Sequence, residues 1–197
     1  MPEFIDLKFI IAVFATALTV FGYIPYLRDI LKKKTKPHLY TWLIWAITQG
    51  TAAVALLYGG GKFGSISLIV GTIVVSAIFL LSFKYGTKDI TLSDKIILTL
   101  ALLAIIIWWQ LDNPLIAVLM ISAIDGIGYI PTIRKSFKDP WSETLSSWVV
   151  ILIVDLLALF ANAEYNFLTV SYLAILFVAN MAVVLVCFFR RRVVEKE

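Results

Sequence analysis

The chain has 197 residues, of which 61% are hydrophobic and 15% charged, and its 17 Lys and Arg against 13 Asp and Glu give a formal net charge of +4. A soluble domain carries about 45–50% apolar and about 25% charged residues, so this composition, with a mean hydropathy of +0.94, points to a bilayer as the solvent. At about 20 apolar residues per span the chain is filled by spans, which leaves no room for a separate catalytic or nucleic-acid-binding domain.

Apolar runs bounded by charges predict seven helical spans in chain order: Phe9–Leu27, Leu39–Tyr58, Phe63–Phe83, Ile96–Leu111, Asn113–Ile133, Thr144–Ala163 and Tyr165–Phe189. The first does not read as a cleavable signal peptide, because Glu3 and Asp6 precede it and its apolar run is too long. Seven spans put the two ends on opposite sides. Fifteen of the seventeen Lys and Arg then collect on one side, and only Lys8 and Lys62 lie on the other. The positive-inside rule places the N-terminus outside and the C-terminus in the cytoplasm. The Lys32–Lys36 run is explained by that topogenic role, without nucleic acid as a partner. His38, the only histidine, is expected as a solvated residue of this loop, and the single Cys187 excludes a disulfide framework or a CxxC pair. No metal site and no cofactor are expected.

One gapless internal repeat stands out. Gly22-Tyr23-Ile24-Pro25 returns as Gly128-Tyr129-Ile130-Pro131, and the same offset of 106 pairs Arg28 with Arg134, Lys32 with Lys138 and Trp42 with Trp148. The expected fold is therefore all-α: a polytopic membrane protein of seven transmembrane helices, built as two parallel three-helix-bundle repeats joined by a linker helix. The divisions are 7–90, 91–112 and 113–192. Repeats of one orientation are related by an axis along the membrane normal, and a solute path runs at their interface.

Two ionisable residues, Asp125 and Asp155, fall near the middle of their spans, where each costs about 2.5–3.5 kcal/mol to insert and is a functional candidate by default. Asp125 pairs with Thr19 across the offset, and Asp155 with Gln49. Trp42 and Gln49, like Trp148 and Asp155, are seven apart and share a helix face. These six residues and Asn180, with Thr72 and Ser76 as further lining, are the expected substrate-binding set, and Trp45 is placed to stack on a ring. The alternative for Trp42 and Trp148 is an interfacial belt, the reading also given to Trp141, Trp108 and Trp109. Gly22, Pro25, Gly128 and Pro131 read either as structural kinks or as hinges for alternating access.

The segments IPYLRDILKKKTKPHLYTW and IPTIRKSFKDPWSETLSSW resemble the PQ-loop repeat of the SWEET and PQ-loop superfamily. Each has a proline near the end of its first helix, a basic loop and a second helix opening on hydroxyl and aromatic residues. The glutamine that follows the proline in that family is Tyr26 in one half and Thr132 in the other. The resemblance implies a transporter of a small-molecule solute, sited in a bacterial or archaeal cell membrane, with proton coupling through an acidic residue near Asp155. Nicotinamide riboside carriers have a similar 3+1+3 arrangement, which keeps vitamin precursors open as substrates. A homo-oligomer is compatible with this reading. The competing function is a receptor or assembly protein of the same fold, against which the short outer loops argue. An enzyme is not expected, and the last span has no lysine to form a retinal Schiff base.

Overall fold

The computed structural model describes residues 7–58, 62–108, 110, 114–161 and 167–196. Among these residues the chain is all-helical: α1 (Leu7–Leu31), α2 (Leu39–Tyr58), α3 (Lys62–Tyr85), α4 (Leu92–Trp108), α5 (Pro114–Lys138), α6 (Leu145–Ala161) and α7 (Phe167–Arg190), with a short 3-10 turn at Pro140–Ser142. Each predicted run corresponds to one helix, but the bounds differ: several helices continue into the charged segments, Thr144 precedes α6, and residues 109, 111, 113, 162–163 and 165–166 of the predicted runs lie outside the described residues. α1 ends four residues beyond Leu27 and α5 five beyond Ile133, because Lys and Arg are good helix formers and favour a helix C-terminus. α4 begins at Leu92 rather than Ile96 because Thr91 and Asp94 cap it reciprocally. The Thr91 amide donates to Asp94 Oδ2 at 2.8 Å, and the Asp94 amide to Thr91 Oγ1 at 3.4 Å.

The packing forms a ring. α1 packs on α3 and α3 on α2; α2 packs on α5, α5 on α7, α7 on α6, and α6 closes on α1. Among the described residues the backbones of α1 and α2, and those of α5 and α6, do not lie against each other, while α4 lies outside the ring against α5 and α2. Two segments, Leu7–Leu31 and Leu173–Arg190, are long and apolar enough to cross a membrane, and only 17% and 22% of their most apolar windows are buried. Large apolar side chains such as Phe21, Ile73, Leu80 and Val178 lie exposed on the outer surface. Polar groups including Thr41, Ser122, Asp125 and Asn180 are buried inside. They lie beside an apolar core that includes Ile30, Ile44, Val75 and Val183.

One end of the ring carries the basic loops and is tied across them. The Lys36 amide donates to the Ser142 carbonyl at 2.9 Å, and the Thr87 amide to the Pro37 carbonyl at 3.0 Å. Arg191, just past α7, donates to the carbonyls of Pro140 and Glu143. The ends of α1, α3, α5 and α7 therefore meet the starts of α2, α4 and α6 at this basic end.

Two close approaches hold the ring. A Cβ on Gly22 of α1 would lie 2.7 Å from Val150 Cγ1 of α6, and one on Gly128 of α5 would lie 3.2 Å from Ile44 Cγ2 of α2. A methyl group at Gly22 would overlap Val150, and one at Gly128 would press on Ile44. Gly22→Ala is expected to lower the thermal midpoint in detergent, with an overpacking cost of about 1–3 kcal/mol. Gly50→Ala should leave it unchanged or raise it, because its added methyl meets Thr72 Cγ2 at an ordinary 3.6 Å.

Candidate functional site

Inside the ring lies a cavity of about 200 Å³, reached by faces of six helices. α1 contributes Ala15, Thr19 and Tyr23, spaced by four; α2 contributes Trp42, Trp45 and Gln49. From α6 come Trp148, Ile151, Asp155 and Ala158, and from α7 Leu173, Leu176 and Asn180, again at helical spacing. Tyr129 of α5 and Gly71 of α3 complete the wall. The cavity runs away from the basic end, since Ala158 lies ten residues, about 15 Å, further along α6 than Trp148.

Six of the seven expected binding residues thus meet at one cavity: Thr19, Trp42, Gln49, Trp148, Asp155 and Asn180. Asp125 does not. It is fully buried in α5 and is not one of the residues lining the cavity, although Tyr129, four residues further on, is. Thr72 and Ser76 also lie off the wall, where α3 presents Gly71 instead. Trp42 and Trp148 are 1% and 2% exposed, so the interfacial belt is wrong for both: they pack in the core of the ring. Trp108 and Trp109 lie outside the residues whose side chains are described. α1 and α5 run unbroken through Pro25 and Pro131, and Gly22 and Gly128 are accounted for by the close helix contacts.

The polar end of the cavity is a chain of three side chains. Tyr129 Oη donates to Asn180 Oδ1 at 2.9 Å, and Asn180 Nδ2 donates to Asp155 Oδ2 at 2.6 Å. The phenol and the carboxylate together fix which way the Asn180 amide points. Towards the basic end the wall becomes aromatic. Trp45 lies 4.4 Å from Tyr129 and 5.0 Å from Trp42 between ring centroids, and Tyr26 fills the space between Trp42 and Trp148 at 5.2 and 6.2 Å. Tyr23, Tyr26 and Tyr129 were not among the expected binding residues, although Tyr23 and Tyr129 belong to the repeated block and Tyr26 follows it directly.

Beneath this aromatic layer sits an ion pair that the sequence pattern did not reveal. Glu143 is buried, with one carboxylate oxygen on Lys135 Nζ and the other accepting from Trp148 Nε1 at 2.9 Å. Lys135 also donates to the Lys36 carbonyl, which joins the two basic loops. Glu143 in turn lines a second, larger cleft of about 930 Å³ at the basic end. Trp148 therefore stands between the two spaces, its ring on the inner cavity and its N–H on a wall residue of the outer cleft. The only signal for Glu143 was its position five residues before Trp148.

His38 is not the solvated residue expected from its loop. It is fully buried, with Nε2 3.4 Å from Asp94 Oδ2, and Asp94 also accepts from Arg134 at 2.6 Å. The cap of α4 and the Arg134 anchor draw the loop down over the imidazole. Burial, aided by the neighbouring Lys135 and Arg134 charges and opposed by Asp94, lowers the His38 pKa from 6.5 to about 4. Burial pushes Asp94 up, but hydrogen bonds from Thr91 and Arg134 outweigh it and hold its carboxyl below the usual value. Because the unfolded chain takes up a proton on His38 below about 6.5 and the folded chain resists until about 4, stability falls as pH drops through that window. The full drop is up to about 3 kcal/mol at 1.36 kcal/mol per unit. The Asp94 contribution is present above its ordinary value of 3.8 and is lost only below it. Melting curves of the wild type should shift down between pH 6.5 and 4, and those of His38→Gln should be flatter over the same range.

No protein-family model, curated protein or solved structure matches the chain.

Proposed function

We propose that the chain is a seven-span membrane transporter of the PQ-loop and SWEET kind, carrying a small polar solute by alternating access between two parallel three-helix repeats. The observation that carries this reading is the cavity at the centre of the six-helix ring, polar at Asp155, Asn180 and Gln49 and closed towards the basic end by aromatic rings. A lipid-facing exterior around a polar interior is the arrangement a solute path in a bilayer requires. The repeat is supported by the packing: Gly22 meets Val150 and Gly128 meets Ile44, and both members of each pair are separated from their counterparts by the same 106 residues. The ring order is also unchanged when α1, α3 and α2 are exchanged for α5, α7 and α6. The meeting of seven helix ends at one basic end fits an odd number of spans with that end in the cytoplasm.

On this reading the cavity is the outward-facing site. Tyr26, Trp42 and Trp148 form its floor, and the Lys135–Glu143 pair is the bolt beneath. A buried pair is costly to desolvate and strongly destabilising to leave half-made, which suits an element that must be either fully closed or fully separated. Pro25 and Pro131 supply the bending points, and Asp155 is the group that carries a proton where transport is coupled to one. No GxxxxGK[ST] loop is present in the sequence, so a gradient is the energy source.

Purified protein in liposomes should exchange a labelled solute across the bilayer. Asp155→Asn should lower the rate about tenfold or more and remove any dependence on external pH. Glu143→Gln should raise the leak through the inner gate while leaving binding at the cavity intact. Flux equal to that of protein-free liposomes for every solute class tried would sink the transport reading in favour of a receptor or assembly role.

A further inference from the structure

The composition of the cavity wall restricts what it can hold. Five of its residues are aromatic: Tyr23, Trp42, Trp45, Tyr129 and Trp148. Its one carboxylate is Asp155, and among the described residues the wall contains no Lys, Arg or His. Nor does any described basic group form an ion pair with Asp155; the described ion pairs all lie at the basic end, on Asp89, Asp94, Asp139 and Glu143. The neutral polar groups Thr19, Gln49 and Asn180 can serve hydroxyl or amide groups, but none supplies a positive charge to an anion.

We propose that the site takes a small organic cation without a carboxylate of its own, a quaternary or aromatic ammonium, held against the indole and phenol faces with Asp155 as its counter-ion. This deepens the transport reading and rests on it for the claim that the ligand is carried. Aromatic faces attract a cation through the ring quadrupole, most strongly where water is excluded, and quaternary ammonium groups are recognised in this way. The carboxylate adds charge complementarity that a neutral polyol cannot use. It also opposes anions, and the wall lacks the cationic partner that the carboxylate of an amino acid needs. The volume of about 200 Å³ is below the roughly 300–1,000 Å³ of sites for drug-sized ligands, which favours a compact ammonium over a large one.

The same wall explains an otherwise uneconomical residue. A carboxylate in a helix interior, given one amide and no counter-charge, is left with capacity for a positive partner. Asn180 holds one oxygen, so the carboxylate is oriented before the ligand arrives and little ordering is needed on binding.

The test is a titration of the full chain in detergent, read by the fluorescence of Trp42, Trp45 and Trp148, with choline and tetramethylammonium as cations. The neutral isostere 3,3-dimethyl-1-butanol, glucose and arginine are the comparisons. The cations should bind about tenfold or more tightly than the isostere, and Asp155→Asn should remove that difference while the variant keeps the wild-type melting temperature. Trp45→Leu should weaken the cations more than the isostere. Equal affinity for choline and its isostere, no cation binding, or a preference for glucose or arginine would each overturn the cation assignment. Liposome flux separates this from the wider reading: saturable uptake of a neutral solute with no cation binding leaves transport standing, whereas tight choline binding without choline flux leaves the site standing and removes transport.

Discussion

A carboxylate enclosed by helices whose outer faces are apolar must find in the protein what water would have given it. For Asp155 the provision is the Asn180 amide, itself aligned by the Tyr129 hydroxyl. Three helices, α5, α6 and α7, are therefore held in register by one polar chain. The aromatic rings of α1 and α2 line the same cavity beside this chain.

The same constraint explains the lower half of the molecule. Below Trp148 the chain buries another carboxylate, Glu143, and meets the cost differently, with a full charge from Lys135 and the Trp148 N–H. His38, Asp94 and Arg134 form a third buried group at the linker helix. On the cavity wall Asp155 has a neutral partner, whereas Glu143 and Asp94 have cations. That contrast marks Asp155 as the place where a positive charge can still be accommodated, and the basic end as the place where charges are locked.

Much of this was legible in the sequence, for physical reasons. Helices in an apolar setting announce themselves by composition, so all seven appeared as runs. The depth of Asp155, Gln49 and Thr19 followed from the repeat offset, and the heptad spacing from Trp42 to Gln49 put them on one face. Asp125 lies buried off the cavity wall while Tyr129 lines it, a distinction between neighbours on one helix that a repeat offset does not encode. His38 and Glu143 escaped because they lie in loops, where polar residues look solvated. Only the folding of one loop onto another, such as Lys36 onto Ser142, removes them from water. Trp42 and Trp148 could be read as pocket lining or as an interfacial belt, and it is their burial against Trp45, which no linear pattern encodes, that takes them out of a belt.

The central claim is that one aromatic layer separates a cavity open to the outside from a cleft open to the cytoplasm. Its most direct test is the side from which single cysteines react with a membrane-impermeant thiol reagent, in a Cys187→Ser background. Ala158→Cys, on the cavity wall, should be modified from the outside only, and Ser146→Cys, in the basic-end cleft, from the cytoplasm only. Modification of both from the same side would contradict the account.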